Sequence, residues 1–374
     1  MGLGNDLIGD VEQLLAAQVL RRRALYRMVG PTSECWQAEQ EIASLCPGTQ
    51  CLLLPSATTG LALALEALGL PAGTEVLVSP FGWLSNWSCI VRAGLVPRFL
   101  PLDESLQLRA DDIAERITDR TSAVVVTHLM GRGQQAVAQI AALCLARGVP
   151  LLEDIAQSLG VSVEGQRIGT FGLASWCSLN HHKLLSTGDG GFVLSTDPVF
   201  FSRLCGIHDH GNTIEHGKRV RTADLSPGLS LRVSELTGAV LRAQLARFNF
   251  IRARVDMLHK ALSSAFSNEV GSATLAPFAG DIPFTVLFER PSQMTYPSLF
   301  DSGWHIAPRV SWLASRFGEE ANRDPAIDLT MNRLRAVSAI GAGFVDPYYA
   351  IPLGLGMNDG PGDAGRVIDA LKSR

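Results

Sequence analysis

The 374-residue chain holds little that would tie it to an oxidising compartment, a membrane or a polyanion. Its seven cysteines (Cys35, Cys46, Cys51, Cys89, Cys144, Cys177 and Cys205) are odd in number, scattered, and never form a Cys-x-x-Cys pair. That pattern argues against a disulfide framework and against a zinc site, and it points to a reducing cytoplasm. No apolar run approaches the roughly 18 residues that a membrane span requires. The opening Met1-Gly-Leu-Gly-Asn-Asp shows neither the basic region nor the apolar core of a leader. The formal net charge is −4 with no long basic run, so electrostatics gives no reason to expect nucleic acid or an anionic membrane as a partner. Arg21-Arg22-Arg23 reads as the solvated end of a first helix. Lysine is scarce.

With 47% hydrophobic residues, the chain is long enough for one large core and a smaller companion domain. From about position 50 to 205, short apolar runs alternate with helical patterns. The runs are Cys51–Leu54, Glu75–Val78, Ala123–Val126, Pro150–Leu152 and Gly191–Leu194; helical patterns fall at Thr59–Leu68 and Gln135–Arg147. This alternation implies an α/β fold, a mostly parallel sheet with helices on both faces. Ser234–Phe250 reads as one long helix leading out of a large domain of residues 1–249 into a smaller domain of residues 250–374. Within the latter, Gly271–Gly280 and Asn322–Ala326 read as loops and the stretch from Pro361 as a closing helix.

Three segments carry chemistry. Pro55-Ser-Ala-Thr58-Thr59-Gly60 lies between a strand and a helix, where small residues and a helix N-terminus suit a phosphate, although such a turn also serves as a plain N-cap. Asp154 ends a probable parallel strand, where open α/β sheets place ligands, and a carboxylate there can hold a proton on a pyridine nitrogen; Glu153-Asp154 could instead cap a following helix, with Gln157 lining it. Lys183 closes Ser178-Leu-Asn-His-His-Lys and precedes Gly188-Asp-Gly-Gly191. A desolvated lysine is a nucleophile for an aldehyde, forming a Schiff base, and pairs naturally with a carboxylate on the far side of a pyridoxal phosphate ring. Ser178 offers a hydroxyl to the phosphate. Trp83, after an apolar run, can stack on a flat ring or belong to the core. His208, His210 and His216 cluster without convincing metal-ligand spacing.

Together these segments resemble the DegT/DnrJ/EryC1/StrS sugar aminotransferases, from about Gly30 to Leu245. The resemblance is carried by Ser56-Ala-Thr-Thr-Gly60, Pro80-Phe-Gly-Trp83, Asp119 to Gly131, Glu153 to Gln157, Ser178 with Lys183, and Gly188-Asp-Gly-Gly191. It implies a fold-type-I pyridoxal-phosphate transferase: a mostly parallel seven-stranded sheet in the large domain and a smaller C-terminal α+β domain. It also implies roles: Lys183 binds the cofactor covalently, Asp154 faces the ring nitrogen, Gln157 the phenolic oxygen, Trp83 the ring face, and Thr58, Thr59 and Ser178 the phosphate. The family segment that reaches the neighbouring subunit's phosphate reads here Gly228-Leu-Ser230-Leu-Arg232, with serine where asparagine is usual. Arg232 is then available to the donor's carboxylate, and His182 and Arg309 are further candidates for binding substrate.

The implied reaction moves an amino group from glutamate or glutamine to a ketone or aldehyde of a sugar-like metabolite, such as a nucleotide-linked keto-sugar, an octulosonate or a cyclitol. A homodimer with shared active sites is the implied assembly. Two rivals stand beside it: the family's pyridoxamine-dependent sugar dehydratases, which carry histidine at the lysine's position, and a non-catalytic sensor that keeps the pocket.

Overall fold

A computed structural model describes residues 4, 7–103, 105–215, 218–221, 227–270 and 274–289, with residues 305–306, 330 and 337–341 besides. Its centre is a seven-stranded sheet: β1 (Gln50–Leu54), β2 (Glu75–Val78), β3 (Val96–Phe99), β4 (Thr121–Thr127), β5 (Leu151–Asp154), β6 (Ala174–Ser178) and β7 (Gly191–Ser195). The spatial order is β1-β7-β6-β5-β4-β2-β3, and only β7 runs antiparallel to its neighbours. Alternate residues feed two separate cores. Leu53, Leu77, Val124, Val126, Leu151 and Phe192 pack on one face. Leu52, Leu54, Val76, Val78, Val125 and Trp176 pack on the other. Both faces being apolar explains why the strands read as unbroken hydrophobic runs, as expected of a parallel sheet buried on both sides.

Nine helices are described: α1 (Asp10–Arg22), α2 (Glu34–Leu45), α3 (Ala57–Leu68), α4 (Ser85–Arg92), α5 (Ala110–Arg116), α6 (Val137–Arg147), α7 (Pro198–His208), α8 (Glu235–Leu245) and α9 (Phe248–Val270). Their ends follow from local chemistry. The Ser56 side chain accepts from the Thr59 N–H to start α3, and Gly69 stops it in the left-handed region at φ 60°. Asp197 accepts from Phe200 N–H, and Pro198 opens α7, where its missing N–H has no acceptor to lose.

The expected single helix over Ser234–Phe250 is two helices. Ala246 N–H still bonds Arg242 O at 3.0 Å, but Arg247 N–H bonds Gln244 O at 2.9 Å, a tightened turn after which α9 begins. The side chain of Arg247 explains the break: it is held by Glu12 and by Leu7 O, a tertiary anchor that no glycine or proline announces. The expected domain boundary near 249 thus falls in the first turn of α9. Beyond it, Thr285–Glu289 pairs antiparallel with Val337–Gly341, and His305–Ile306 pairs with the short strand Phe81–Gly82. Asn322–Ala326, Arg309 and the expected closing helix lie outside the described residues.

Candidate active site

The carboxyl ends of β1, β4, β5 and β6 converge on one edge of the sheet, and the expected residues meet there. In the register, Thr127 lies beside Asp154, and Ser178 lies beside Gly191, which in turn lies beside Leu54 at the end of β1. The chain leaves β1 directly into Ser56 and α3. A Cβ on Gly191 would stand 2.4 Å from Ala57 N and 2.5 Å from Ser56 C, both backbone atoms. Only glycine lets the reversed strand slide under the start of α3, and that contact brings Ser178 to the same place as Thr58 and Thr59. Thr59 is tied to Ser56 through its N–H (3.1 Å) and hydroxyl (2.9 Å). Thr58 is exposed on the first turn, where N–H groups have no intrahelical acceptor and the helix dipole favours an anion.

Asp154 is 4% exposed. Its Oδ1 accepts from Ala156 N–H at 3.0 Å and its Oδ2 from the Asn86 side-chain amide at 2.8 Å. Burial pushes its carboxyl above the usual range, opposed by the Asn86 and Ala156 hydrogen bonds and by the nearby charges of Lys183 and His128. Lys183 sits in the loop after β6, its N–H on Asn180 O at 2.9 Å. Burial pushes its amine down from the usual lysine range, while Asp154 and Cys177 pull the other way. The result is an amine held toward its nucleophilic form, facing a carboxylate.

Gln157 is buried and its Oε1 accepts from Met130 N–H at 3.0 Å, which leaves the Nε2 group as its donor. No helix follows Asp154, so neither it nor Glu153 is a helix cap. Glu153, fully buried, instead accepts from the N–H groups of Gly169 (2.7 Å), Phe171 (2.8 Å) and Gly172 (2.8 Å) and meets His128 Nε2 at 3.2 Å. It ties the loop before β6 to the strand that carries Asp154. Trp83 is 53% exposed, hence no core residue.

The remaining expected residues have other surroundings. Ser230 is exposed and bridges to Asp209. Arg232 is ion-paired with Asp209 and lies 5.4 Å from the Tyr26 ring centre, while Arg219 takes the other Asp209 oxygen at 2.8 Å. His182 lies against His181, ring centres 3.6 Å apart and planes tilted by 44°, next to the lysine. His208 is buried, with a pKa pushed down to about 3 by burial and by the charge of Arg27. No group of three or more potential metal ligands occurs among the described residues. Asn86 and Gln244 join the site without a sequence motif to mark them. Gln244 grips Ser186, three residues after Lys183, through N–H and carbonyl alike, both at 2.7 Å. Neither residue belongs to a motif, so no sequence signal marks it.

A buried carboxylate already fixed by two donors, an amine of lowered pKa and a small-residue anion cradle are the donor set that pyridoxal phosphate requires, and the residues fit that group. The model of the DegT/DnrJ/EryC1/StrS aminotransferase family matches residues 8–287. The chain belongs to this family. It is 31% identical over 221 residues to GDP-perosamine synthase of Vibrio cholerae, covering 59% of each chain. It is 35% identical over 216 residues to the L-glutamine:2-deoxy-scyllo-inosose aminotransferase of Streptomyces kanamyceticus, covering 54% of this chain and 49% of that one. The matches thus span about half to three-fifths of those relatives. The crystal structure of 3-amino-5-hydroxybenzoic acid (AHBA) synthase superposes with a TM-score of 0.80 at 21% identity, covering 98% of this chain and 96% of that one, a likeness of fold.

Proposed function

We propose that this protein is a pyridoxal-phosphate-dependent aminotransferase that moves an amino group from glutamate or glutamine to a keto or aldehyde group of a sugar-like metabolite. The observation that carries it is the pairing of buried Asp154 with half-buried Lys183 at the carboxyl edge of the sheet beside the start of α3, the charge of each acting on the other. Family membership and relatives named for perosamine and for a cyclitol ketone support the substrate class. A nucleotide-linked keto-sugar, an octulosonate and a cyclitol ketone are the acceptors we put forward.

When bound, the cofactor supplies an aldehyde that captures amines and a pyridine ring that takes up the electron pair of a bond broken at the substrate carbon. Lys183 provides the amine that holds the aldehyde, and once displaced it is the base and acid that moves the proton at the substrate carbon. Asp154 holds a proton on the ring nitrogen. Gln157 donates from Nε2 to the phenolic oxygen, Trp83 covers the ring, and Thr58, Thr59 and Ser178 bind the phosphate. Arg232 would take the donor's carboxylate by exchanging Asp209 for it, and His182 and Arg309 are offered to the acceptor. We further propose a cytoplasmic homodimer in which exposed Ser230 faces the partner's phosphate site.

The test is spectral. Protein loaded with cofactor should lose its bound-aldehyde absorbance on addition of glutamate or glutamine, releasing one equivalent of the oxo acid, and regain it with a keto-sugar. A band that the amino donor leaves untouched would make the protein a sensor; deoxygenated product without net amination would make it a dehydratase. Light scattering during size exclusion checks the dimer, and a fully active monomer would overturn that part.

A further inference from the structure

Asn86, the second residue of α4, carries no motif, yet it is 2% exposed and touches the buried carboxylate directly. Its Nδ2 donates to Asp154 Oδ2 at 2.8 Å and to Thr127 Oγ1 at 3.2 Å, and its Oδ1 has no partner among the described residues. Leaving a buried carbonyl oxygen unpaired is a poor choice for packing alone, because an aliphatic side chain would fill the same space without a desolvated acceptor. The orientation is informative. Turning the amide over would aim Oδ1 at the carboxylate oxygen, lone pair against lone pair, so the donor pattern suits the ionised form of Asp154.

Its position in the chain adds a second constraint. Asn86 N–H bonds Trp83 O at 3.1 Å, so one turn carries both the exposed indole and the amide that grips Asp154. Thr127, the other acceptor of the amide, is the register neighbour of Asp154 on β4. The amide therefore spans two adjacent strand ends from the helix that follows Trp83.

We propose that Asn86 is a positioning residue that acts through Asp154, fixing the orientation of its carboxylate and keeping it ionised opposite the ring nitrogen. The proposal rests on the aminotransferase reading above. Charge-assisted hydrogen bonds from a fixed amide offset part of the desolvation of a buried carboxylate, and here that amide acts beside the Ala156 backbone N–H.

The experiment compares the full-length protein, loaded with pyridoxal phosphate, with Asn86→Ala and Asn86→Asp. In Asn86→Ala, borohydride should still fix the cofactor on Lys183 at wild-type stoichiometry. The pH midpoint of the cofactor absorbance should move, and the half-reaction with the amino donor should slow roughly 10- to 100-fold with KM little changed. Asn86→Asp keeps the shape and guards against a folding failure of the alanine variant. Two adjacent carboxylates share one proton, so its half-reaction should gain a pH dependence that the wild type lacks. Wild-type protein without the absorbance band or the Lys183 label overturns both readings. Normal wild-type behaviour with unchanged pH profiles and rates in both variants overturns the role of Asn86 alone.

Discussion

At the scale of single residues, the most testable property is the amine of Lys183. The chain has four lysines: Lys183, Lys218, Lys260 and Lys372. Lys260 is largely exposed, with its side chain paired to Asp256 in the preceding helical turn. Burial lowers the pKa of Lys183, so its deprotonated fraction at neutral pH exceeds that of a solvated lysine, and its reactivity reaches a plateau at a lower pH. Brief treatment with a simple aldehyde and borohydride near neutral pH should label Lys183 well before Lys218 or Lys260, read by peptide mass mapping. The lead should shrink as the pH climbs toward the ordinary lysine range. Equal rates at neutral pH would contradict a nucleophilic amine at this position. Removing the carboxylate partner is the complementary change: Asp154→Asn should leave labelling of Lys183 possible while lowering the transamination rate at least 100-fold, because a neutral amide cannot hold the ring-nitrogen proton.

At the scale of elements, the site exists because loops and strand ends are tied by groups that do no chemistry. Glu153 is the clearest case: one buried carboxylate takes three backbone N–H groups of the loop before β6, so Glu153→Ala should destabilise the protein by roughly 3 to 5 kcal/mol in chemical denaturation. A loss below about 1 kcal/mol would mean that water replaces the carboxylate without penalty. Gly191 makes a different demand, since a side chain there must push β7 away from the start of α3. Gly191→Val should both lower the midpoint of chemical denaturation and raise the cofactor Kd, because every atom the new side chain meets is backbone. Much at this scale was legible in the sequence. The apolar runs at Cys51–Leu54, Glu75–Val78 and Ala123–Val126 are strands because a parallel sheet buried on both faces leaves no polar residues to interrupt them. The meeting of Asp154, Ser178 and Lys183 at one sheet edge was legible because their neighbours form motifs with fixed spacing. Glu153 and Asn86 were not: the meaning of each depends on which loop or strand end the fold brings against it, and neither spacing nor composition records that. The split between α8 and α9 was hidden for the same reason, since helical periodicity continues through Ala246 and Arg247 while a distant anchor sets the turn.

At the scale of the whole molecule, α8 joins parts of the chain that are far apart in sequence. Glu235 at its start accepts from Met28 N–H at 2.8 Å and from the Ser33 hydroxyl at 2.8 Å, which fixes the approach to α2. Gln244 at its end grips Ser186 after the reactive lysine, and Arg247 just beyond holds Leu7 O and Glu12. Gly4 completes the junction: a Cβ there would stand 2.4 Å from Ser186 Cβ and 2.9 Å from His181 O. The lysine loop is therefore clamped from one side by an amide of α8 and approached on another by Gly4. Gln244→Ala removes both bonds of the clamp and leaves Ser186 N–H and carbonyl without those partners, a loss of about 2 to 4 kcal/mol if water does not enter. Local opening should rise before global unfolding does, so amide exchange in residues 179–190 should accelerate while β4 and β5 keep their protection. Aldehyde capture by Lys183 should slow in the same variant, because an amine on a mobile loop spends less time against the carboxylate that orients its partner. Exchange that accelerates uniformly across the sheet would instead make Gln244 a general packing residue, and the lysine loop would then owe its position to β6 and β7 alone.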